Sequence, residues 1–426
     1  MPIRWLLVFW MFAISAISFL DRVNISIAGR FIQQEFHISD LQLGPVFSAF
    51  LVGYALFQAP AGRLADRFGP RLILTLGTLW WGVFTALTAT LSAGMPSLLL
   101  VLLAVRFSLG AGEAVLFPAS NRLVAAWIPS PERGLANGII FAGVGAGAGI
   151  TPPLVTYIVL NYGWRASFWI SAVIGLAAGA IWYWLARDRP ADHPWVTAQE
   201  TALIERGLPA PPAQLEIGKP LPWRTIFGSK DVLAIAFSYF TYGYAAWIFF
   251  AWFFIYLSKV RGLDLKSSSY YSMLPFMAMA AGSTVGGRVS DVLTRRYGNR
   301  IGRCGVATAG IALAAVFIAS GTQVESARLA SIVLAGGAGA LYLSQSSFWS
   351  VTADMAGASA GSVSGVMNMG GQIGGIVTAS LTPLIAHQFS WTASFLVAAA
   401  LCAAGSLAWL AVNPNVELGR KLEGGL

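Results

Sequence analysis

Long apolar runs separated by short polar breaks dominate the chain from its first residues to its last. A helix needs roughly 20 mostly apolar residues to cross a bilayer core. Runs of that kind recur at 5–28, 41–62, 71–93, 97–120, 135–160 and 165–186. After one extended polar stretch they resume at 232–258, 269–291, 301–321, 327–352, 361–386 and 392–412. The pattern predicts an all-α membrane protein of twelve transmembrane helices in two six-helix bundles. The first bundle takes residues 1–186, a linker 187–231, and the second bundle, with a short tail, 232–426.

The two groups of six repeat one another. Gly62-x-x-x-Asp66 after the second run is echoed by Gly287-x-x-x-Asp291 after the eighth. Trp164-Arg-Ala-Ser-Phe168 opens the sixth run as Trp391-Thr-Ala-Ser-Phe395 opens the twelfth, and Pro153-Leu154 matches Pro383-Leu384. The offsets, 225, 227 and 230 residues, are nearly constant. Paired bundles with a site between them are the layout in which access alternates by rocking. The linker carries seven prolines, from Pro190 to Pro222, so it cannot be one helix. Within it, Thr197-Ala-Gln-Glu200 has capping-box spacing and predicts a short amphipathic helix to about Arg206.

Composition agrees with the pattern: 56% of residues are hydrophobic and 11% charged, against about 25% charged in ordinary soluble domains. Of the 27 Lys and Arg, nineteen fall in segments on the side of the N-terminus, six on the opposite side, and Arg22 and Arg106 within runs. Positive loops stay inside, which predicts a plasma (inner) membrane protein with both termini cytoplasmic. The net charge of +9 is mostly this bias. No basic face with interleaved aromatics suggests nucleic acid. Residues 1–16, ending Ala13-Ile-Ser-Ala16, resemble a cleavable leader, but the apolar run continues past them, so no cleavage is expected. Cys304 and Cys402 lie in different runs, and His37, His193 and His387 are scattered. No enzyme, metal site or cofactor is expected.

Four charges lie inside segments otherwise fit for lipid: Asp21, Arg22, Arg106 and Glu113. Each costs roughly 2.5–3.5 kcal/mol on insertion scales, so a functional reading is favoured over structural ion pairs. Arg106 and Glu113, two helical turns apart, project from nearly the same face about 10 Å apart. Asp21 and Arg22 are about 100° apart around their helix and can serve different neighbours, while Asn24 shares the face of Asp21. Arg106 either grips a ligand or holds Glu113. Asn368 and Gln372, four apart on the eleventh run, can read hydroxyls or act as polar glue between helices. Tyr239, Tyr242, Tyr244 and Trp247 on the seventh run are candidates to gate a cavity or to sit at the membrane interface, and Gln345 is a further polar candidate.

Gly62-Arg-Leu-Ala-Asp66-Arg67-Phe-Gly69-Pro-Arg71 matches the loop motif G-x-x-x-D-R-x-G-x-R of the major facilitator superfamily. Its physics is legible: Gly62 permits close helix approach, Gly69 supplies a turn, and Asp66 caps a helix start or pairs with an Arg. With Arg67 and Arg71, these charges would hold one state closed on the cytoplasmic side. Leu20-Asp21-Arg22-Val-Asn24, together with Arg106-Phe-Ser-Leu-Gly110-Ala-Gly-Glu113-Ala114 running to Phe117-Pro118, and Gly134 after Glu132-Arg133, narrow the resemblance. They resemble the anion:cation symporter family, which includes bacterial carriers of hexuronates, aldonates, aldarates and aromatic acids, vesicular glutamate carriers and sialin.

The resemblance implies proton-driven uptake of a small organic anion by a monomer, with Arg22 gripping the carboxylate, Asp21 and Glu113 carrying protons, and Tyr54 contacting substrate. Sugar-acid members often carry an amide in the fifth span, where this chain reads Phe141-Ala-Gly-Val-Gly145-Ala-Gly147-Ala-Gly149. That departure admits a smaller or more apolar carboxylate. The competing readings are a drug/proton antiporter, disfavoured because two embedded arginines repel a cation, and a transporter-like solute sensor.

Overall fold

The structure, a computed structural model, describes residues 2–38, 40–208, 220–253 and 256–418. The linker prolines Pro209, Pro211 and Pro212, Lys219, and the tail residues Arg420 and Lys421 lie outside these, as do the side chains of Arg30, Pro153, Lys259, Lys266 and Pro383. The first bundle comprises α1 (Ile3–Phe36), α2 (Asp40–Phe68), α3 (Pro70–Thr90), α4 (Leu98–Glu113), α5 (Leu116–Trp127), α6 (Arg133–Tyr162) and α7 (Trp164–Leu185). The linker forms α8 (Ala198–Gly207) and α9 (Trp223–Phe227). The second bundle comprises α10 (Lys230–Ala251), α11 (Leu265–Tyr297), α12 (Val306–Gln323), α13 (Ala327–Leu343), α14 (Gln345–Ala356), α15 (Ala360–Gln388) and α16 (Trp391–Ala411). The pairs α4/α5 and α13/α14 are each one crossing interrupted midway, which gives two bundles of six.

Nine stretches of the described residues are long and apolar enough to cross a membrane, and one of them, Ala327–Gln388, has the length of two crossings. Helices α2 and α11 pack across the bundle boundary, α2 on α15 and α11 on α6. The internal repeat extends beyond the sequence motifs. Pro45 inside α2 and Pro275 inside α11 are 230 residues apart, as are the interruptions at Ala114 and Ser344. Gly69 and Gly298 close α2 and α11 with φ of +89° and +82°, a backbone that favours glycine.

Helix α8 begins where the capping spacing predicted: Thr197 accepts a hydrogen bond from the Glu200 amide. The Glu200 carboxylate does not return to Thr197. It accepts from the amides of Ile3 and Arg4, both at 3.1 Å, and so caps α1. His193 anchors the start of the linker through the Leu185 carbonyl, and burial pushes its imidazole below the usual histidine range.

Between the bundles, hydrogen bonds and ion pairs gather toward the helix ends that carry Arg63, Arg133 and Arg303, here called the basic end. Asp66, at the end of α2, accepts from the amides of Gly361 (2.9 Å) and Ser362 (2.6 Å), the first turn of α15. Its counterpart Asp291, at the end of α11, accepts from Gly134 (2.8 Å) and Leu135 (2.6 Å), the first turn of α6. Each carboxylate thus satisfies orphan N–H groups and the positive end of a helix dipole in the opposite bundle. Arg303 pairs with Asp291 at 2.7 Å, and Arg133 with Asp354 at 2.5 Å. Leu221 donates to Ser359 and accepts from Arg63, stitching the linker to both bundles.

Glycine backbones bring the helices close enough for these contacts. A Cβ on Gly62 would stand 1.9 Å from the Gly361 carbonyl oxygen, and one on Gly287 2.2 Å from that of Gly134. Gly287→Val should therefore wedge the basic end apart. The expected reading is faster alkylation of a cysteine substituted for the buried Asn137, both native cysteines being buried. An unchanged rate would mean that the close approach is dispensable.

Candidate functional site

Midway between the bundles lies a cavity of about 520 Å³, including its open mouth. The first bundle contributes Phe19, Arg22, Tyr54, Phe117, Phe141 and Val144, a wall that is apolar apart from one guanidinium and one phenol. The second contributes phenols and amides: Tyr239 and Tyr242 from α10, Tyr342, Gln345, Asn368 and Gln372, beside Trp247 and Phe250. Arg22 is the single charged side chain among these lining residues. Between the cavity and the basic end the bundles are bonded together. Beyond it, among the described residues, no hydrogen bond joins them, and a Cβ on Gly149 would meet nothing within 4 Å.

Arg22 is held from behind. Its Nε donates to Glu113 Oε2 at 2.8 Å, and Ser18 Oγ donates to the same oxygen at 2.8 Å. Glu113 is fully buried where α4 ends, and its other oxygen has no hydrogen-bond partner. The Arg22 guanidinium lies 4.2 Å from the Tyr54 ring centroid, 4.7 Å from Phe19 and 5.3 Å from Phe50, and its buried Nη2 has no partner. One donor is therefore committed to Glu113, aromatic faces stabilise the charge, and another donor, Nη2, remains without a partner in a side chain that lines the cavity.

Asp21 and Arg106 complete a quartet of two acids and two bases in mutual electrostatic contact. Neither lines the cavity. Arg106 lies over the same Phe50 ring, 5.1 Å from its centroid. Glu113 takes its short ion pair with Arg22, and Arg106 has no ion pair within 4 Å among the described residues. The two-turn spacing placed Arg106 and Glu113 on one face, and they do act on each other electrostatically, but the hydrogen-bonded partner of Glu113 is Arg22 from α1. Asn24 bonds to Ser167 and Ser171 of α7, joining helices within its own bundle.

The remaining candidates separate by position. Asn368 and Gln372 are bonded to each other at 3.4 Å, and Asn368 donates to Gln58 of the opposite bundle at 2.8 Å. Tyr239 accepts from Gln345 and Trp349 and stacks on Tyr242 at 5.0 Å. Tyr244 points elsewhere, toward Thr378 and Thr382. Tyr239, Tyr242 and Tyr244 are all buried, so they are not interfacial anchors. The fifth-span glycines divide their faces: Gly143 and Gly147 admit the α1 backbone and Gly145 admits α11, leaving Phe141 and Val144 to the cavity. In the loop motif, Gly62 and Asp66 touch α15. Arg71 ties α3 to Asp188 and Tyr183, Gly69 makes the turn, and Arg67 is exposed beside Phe68.

Sequence reasoning overlooked Gln58, Phe50, Tyr342 and Asp354. A signal for the first two was present: Phe50, Tyr54, Gln58, Gly62 and Asp66 recur every fourth residue. Such a row forms one ridge, slanting around the helix. It begins against the buried charges and ends on α15.

The model of the Major Facilitator Superfamily matches residues 11–379. The chain belongs to the Major Facilitator Superfamily. Members similar to it include the probable sulfoacetate transporter of Cupriavidus necator, 37% identical over 93% of this chain and 91% of the relative. The hexuronate transporter of Bacillus subtilis is 32% identical over 94% and 92%, and the probable L-galactonate transporter of Escherichia coli 30% over 94% and 87%. Among solved superfamily structures, the proton:xylose symporter XylE superposes with a TM-score of 0.76 at 13% identity, covering 97% of this chain and 98% of that one. The likeness extends the twelve-helix superfamily fold over nearly the whole chain. As a superfamily member, the protein is a membrane transporter and not an enzyme.

The quartet makes a stability prediction. Removing one partner of a buried ion pair costs about 3–5 kcal/mol, because the other charge is left uncompensated. Glu113→Ala should lower the thermal midpoint of the detergent-solubilised protein sharply, and Glu113→Met combined with Arg22→Met should recover much of the loss. Equal destabilisation by the single and double variants would show that the two charges are not energetically paired.

Proposed function

We propose that the protein is a proton-coupled symporter that takes up a small organic anion, a sugar acid or a related carboxylate, across the plasma membrane. The observation carrying this reading is Arg22: one guanidinium at the edge of an otherwise uncharged cavity, tethered to a fully buried Glu113. An arginine fork suits a carboxylate or a comparable oxyanion and stays charged throughout. The relatives carrying sulfoacetate, hexuronate and galactonate support an acidic substrate. Hydroxyls of a sugar acid would meet Asn368, Gln372, Gln345 and the α10 phenols, with Phe117, Phe141 and Val144 against its carbon skeleton. Amides from the second bundle thus replace the one missing from the fifth span.

Coupling follows from competition for Arg22. An anion that engages its free donors draws the guanidinium away from Glu113. A buried carboxylate that loses its cation binds a proton more readily, so anion and proton favour each other's binding. Asp21, deeper in the same quartet, shares the proton. With both termini cytoplasmic, the basic end faces the cytoplasm and this conformation is open outward. One chain carries the complete site, so a monomer suffices.

Uptake into proteoliposomes tests the proposal, using galacturonate, galactonate, glucarate, sulfoacetate and short carboxylates. An inward proton gradient should drive accumulation of at least one acid, and a sodium gradient of none. Glu113→Gln should abolish accumulation while counterflow exchange persists. Arg22→Ala should weaken binding by at least about tenfold, the worth of a hydrogen bond to a charged group. Drug/proton exchange with no acid taken up would overturn the reading. Accumulation that survives in Glu113→Gln would move the proton to another group.

A further inference from the structure

Gln58 has no place in the anion or proton chemistry, yet it occupies a singular position. It is fully buried on α2, one turn from Tyr54 toward the basic end and one turn before Gly62. Its Oε1 accepts from Asn368 Nδ2 at 2.8 Å, across the bundle boundary. Asn368 Oδ1 in turn accepts from Gln372 Nε2 at 3.4 Å, and Gln372 lines the cavity. Three amides therefore form one directed chain from the cavity wall in the second bundle to the core of the first. Both ends of the chain are open: Gln372 Oε1 and Gln58 Nε2 have no partner.

Directly beneath the chain the backbones touch. A Cβ on Gly365 would lie 2.6 Å from the Gln58 carbonyl oxygen, and one turn further down Gly62 meets Gly361. Opening the basic end must separate α2 from α15, and so must break the Gln58–Asn368 bond. A buried amide without its partner loses more than the bond itself. Hydrogen-bonded amides in series also polarise one another, so a ligand group on Gln372 or Asn368 alters the strength of the link to Gln58.

We propose that Gln58 is a positioning residue for the transport cycle. Its bond to Asn368 latches the floor of the cavity shut, and the amide chain makes that latch responsive to the occupant. The response to a ligand rests on the organic-anion reading above; the latch itself does not.

The test measures the separation of the bundles at the basic end by spin labels on Phe68→Cys and Tyr297→Cys, both exposed positions, in the full chain in nanodiscs. Without ligand, Gln58→Leu should raise the ratio of open to closed basic ends by about two- to tenfold, the worth of one hydrogen bond. Exchanging the partners, Gln58→Asn with Asn368→Gln, keeps the combined length of the two side chains and should restore the parent distribution. A distribution unchanged in Gln58→Leu, or a swap that behaves like Gln58→Leu, overturns the latch. With galacturonate and sulfoacetate as probes, a bound probe should shift the parent ratio and leave Gln58→Leu unmoved, at an affinity within about threefold of the parent. Equal shifts in both overturn the coupling. Binding of neither probe counts against the organic-anion reading, while the ligand-free comparison still decides the latch.

Discussion

Everything at the centre of this protein depends on one bond, Arg22 Nε to Glu113 Oε2 at 2.8 Å. In water such a pair is nearly neutral in worth; between helices in a bilayer neither charge could stand alone. The bond fixes the end of α4 against α1 and orients the guanidinium over Tyr54. It also leaves Arg22 Nη2 without a partner. Arg106 and Asp21 are held in the same field. The chain concentrates its membrane-embedded cost in one bundle, so the second bundle meets the cavity with uncharged side chains, its polar groups being amides and phenols.

The basic end solves a different problem with the same economy of means. Two carboxylates, Asp66 and Asp291, each cap a helix that belongs to the other bundle. Each bond is individually modest and exposed to competition from water when the bundles part. Together with Arg303, Arg133 and Asp354 they make closure cooperative, since no single pair closes without the glycine contacts beside it. The repeat places these devices at matching positions. The two edges of the gate therefore carry the same chemistry.

Much of this was legible in the sequence, for identifiable reasons. Hydrophobic run length is dictated by the bilayer, so the twelve crossings and the two groups of six could be read directly. The loop motif announced Asp66, and the repeat pointed to Asp291. Charges in lipid stand out against their surroundings, which is why Arg22 and Glu113 were visible. Their partnership was not, because it joins α1 to α4 and depends on how the helices are rotated. The spacing within α4 suggested Arg106 for Glu113, but spacing along one helix says nothing of a third side chain arriving from another. Gln58 escaped notice for a different reason: its place in the every-fourth-residue row of α2 shows which ridge it shares, but not that Asn368 of the other bundle meets it there. The interruption at Ser344 was equally hidden, since no proline marks it, whereas Pro118 stands four residues beyond Ala114 and removes the helical bond to that carbonyl.

The slanting row on α2 has a consequence of its own. Phe50 and Tyr54 grip the Arg22 guanidinium, Gln58 bonds to Asn368 at the cavity floor, and Gly62 and Asp66 form the gate contact with α15, all set by one helical phase. Loss or gain of a single residue between Tyr54 and Gly62 would rotate everything beyond it by about 100°, turning the gate residues toward lipid while the grip stayed in place. Grip and gate can change their side chains separately but not their separation. In α2 the unit of change is the whole turn, and the helix acts as a ruler on which the two functions are marked.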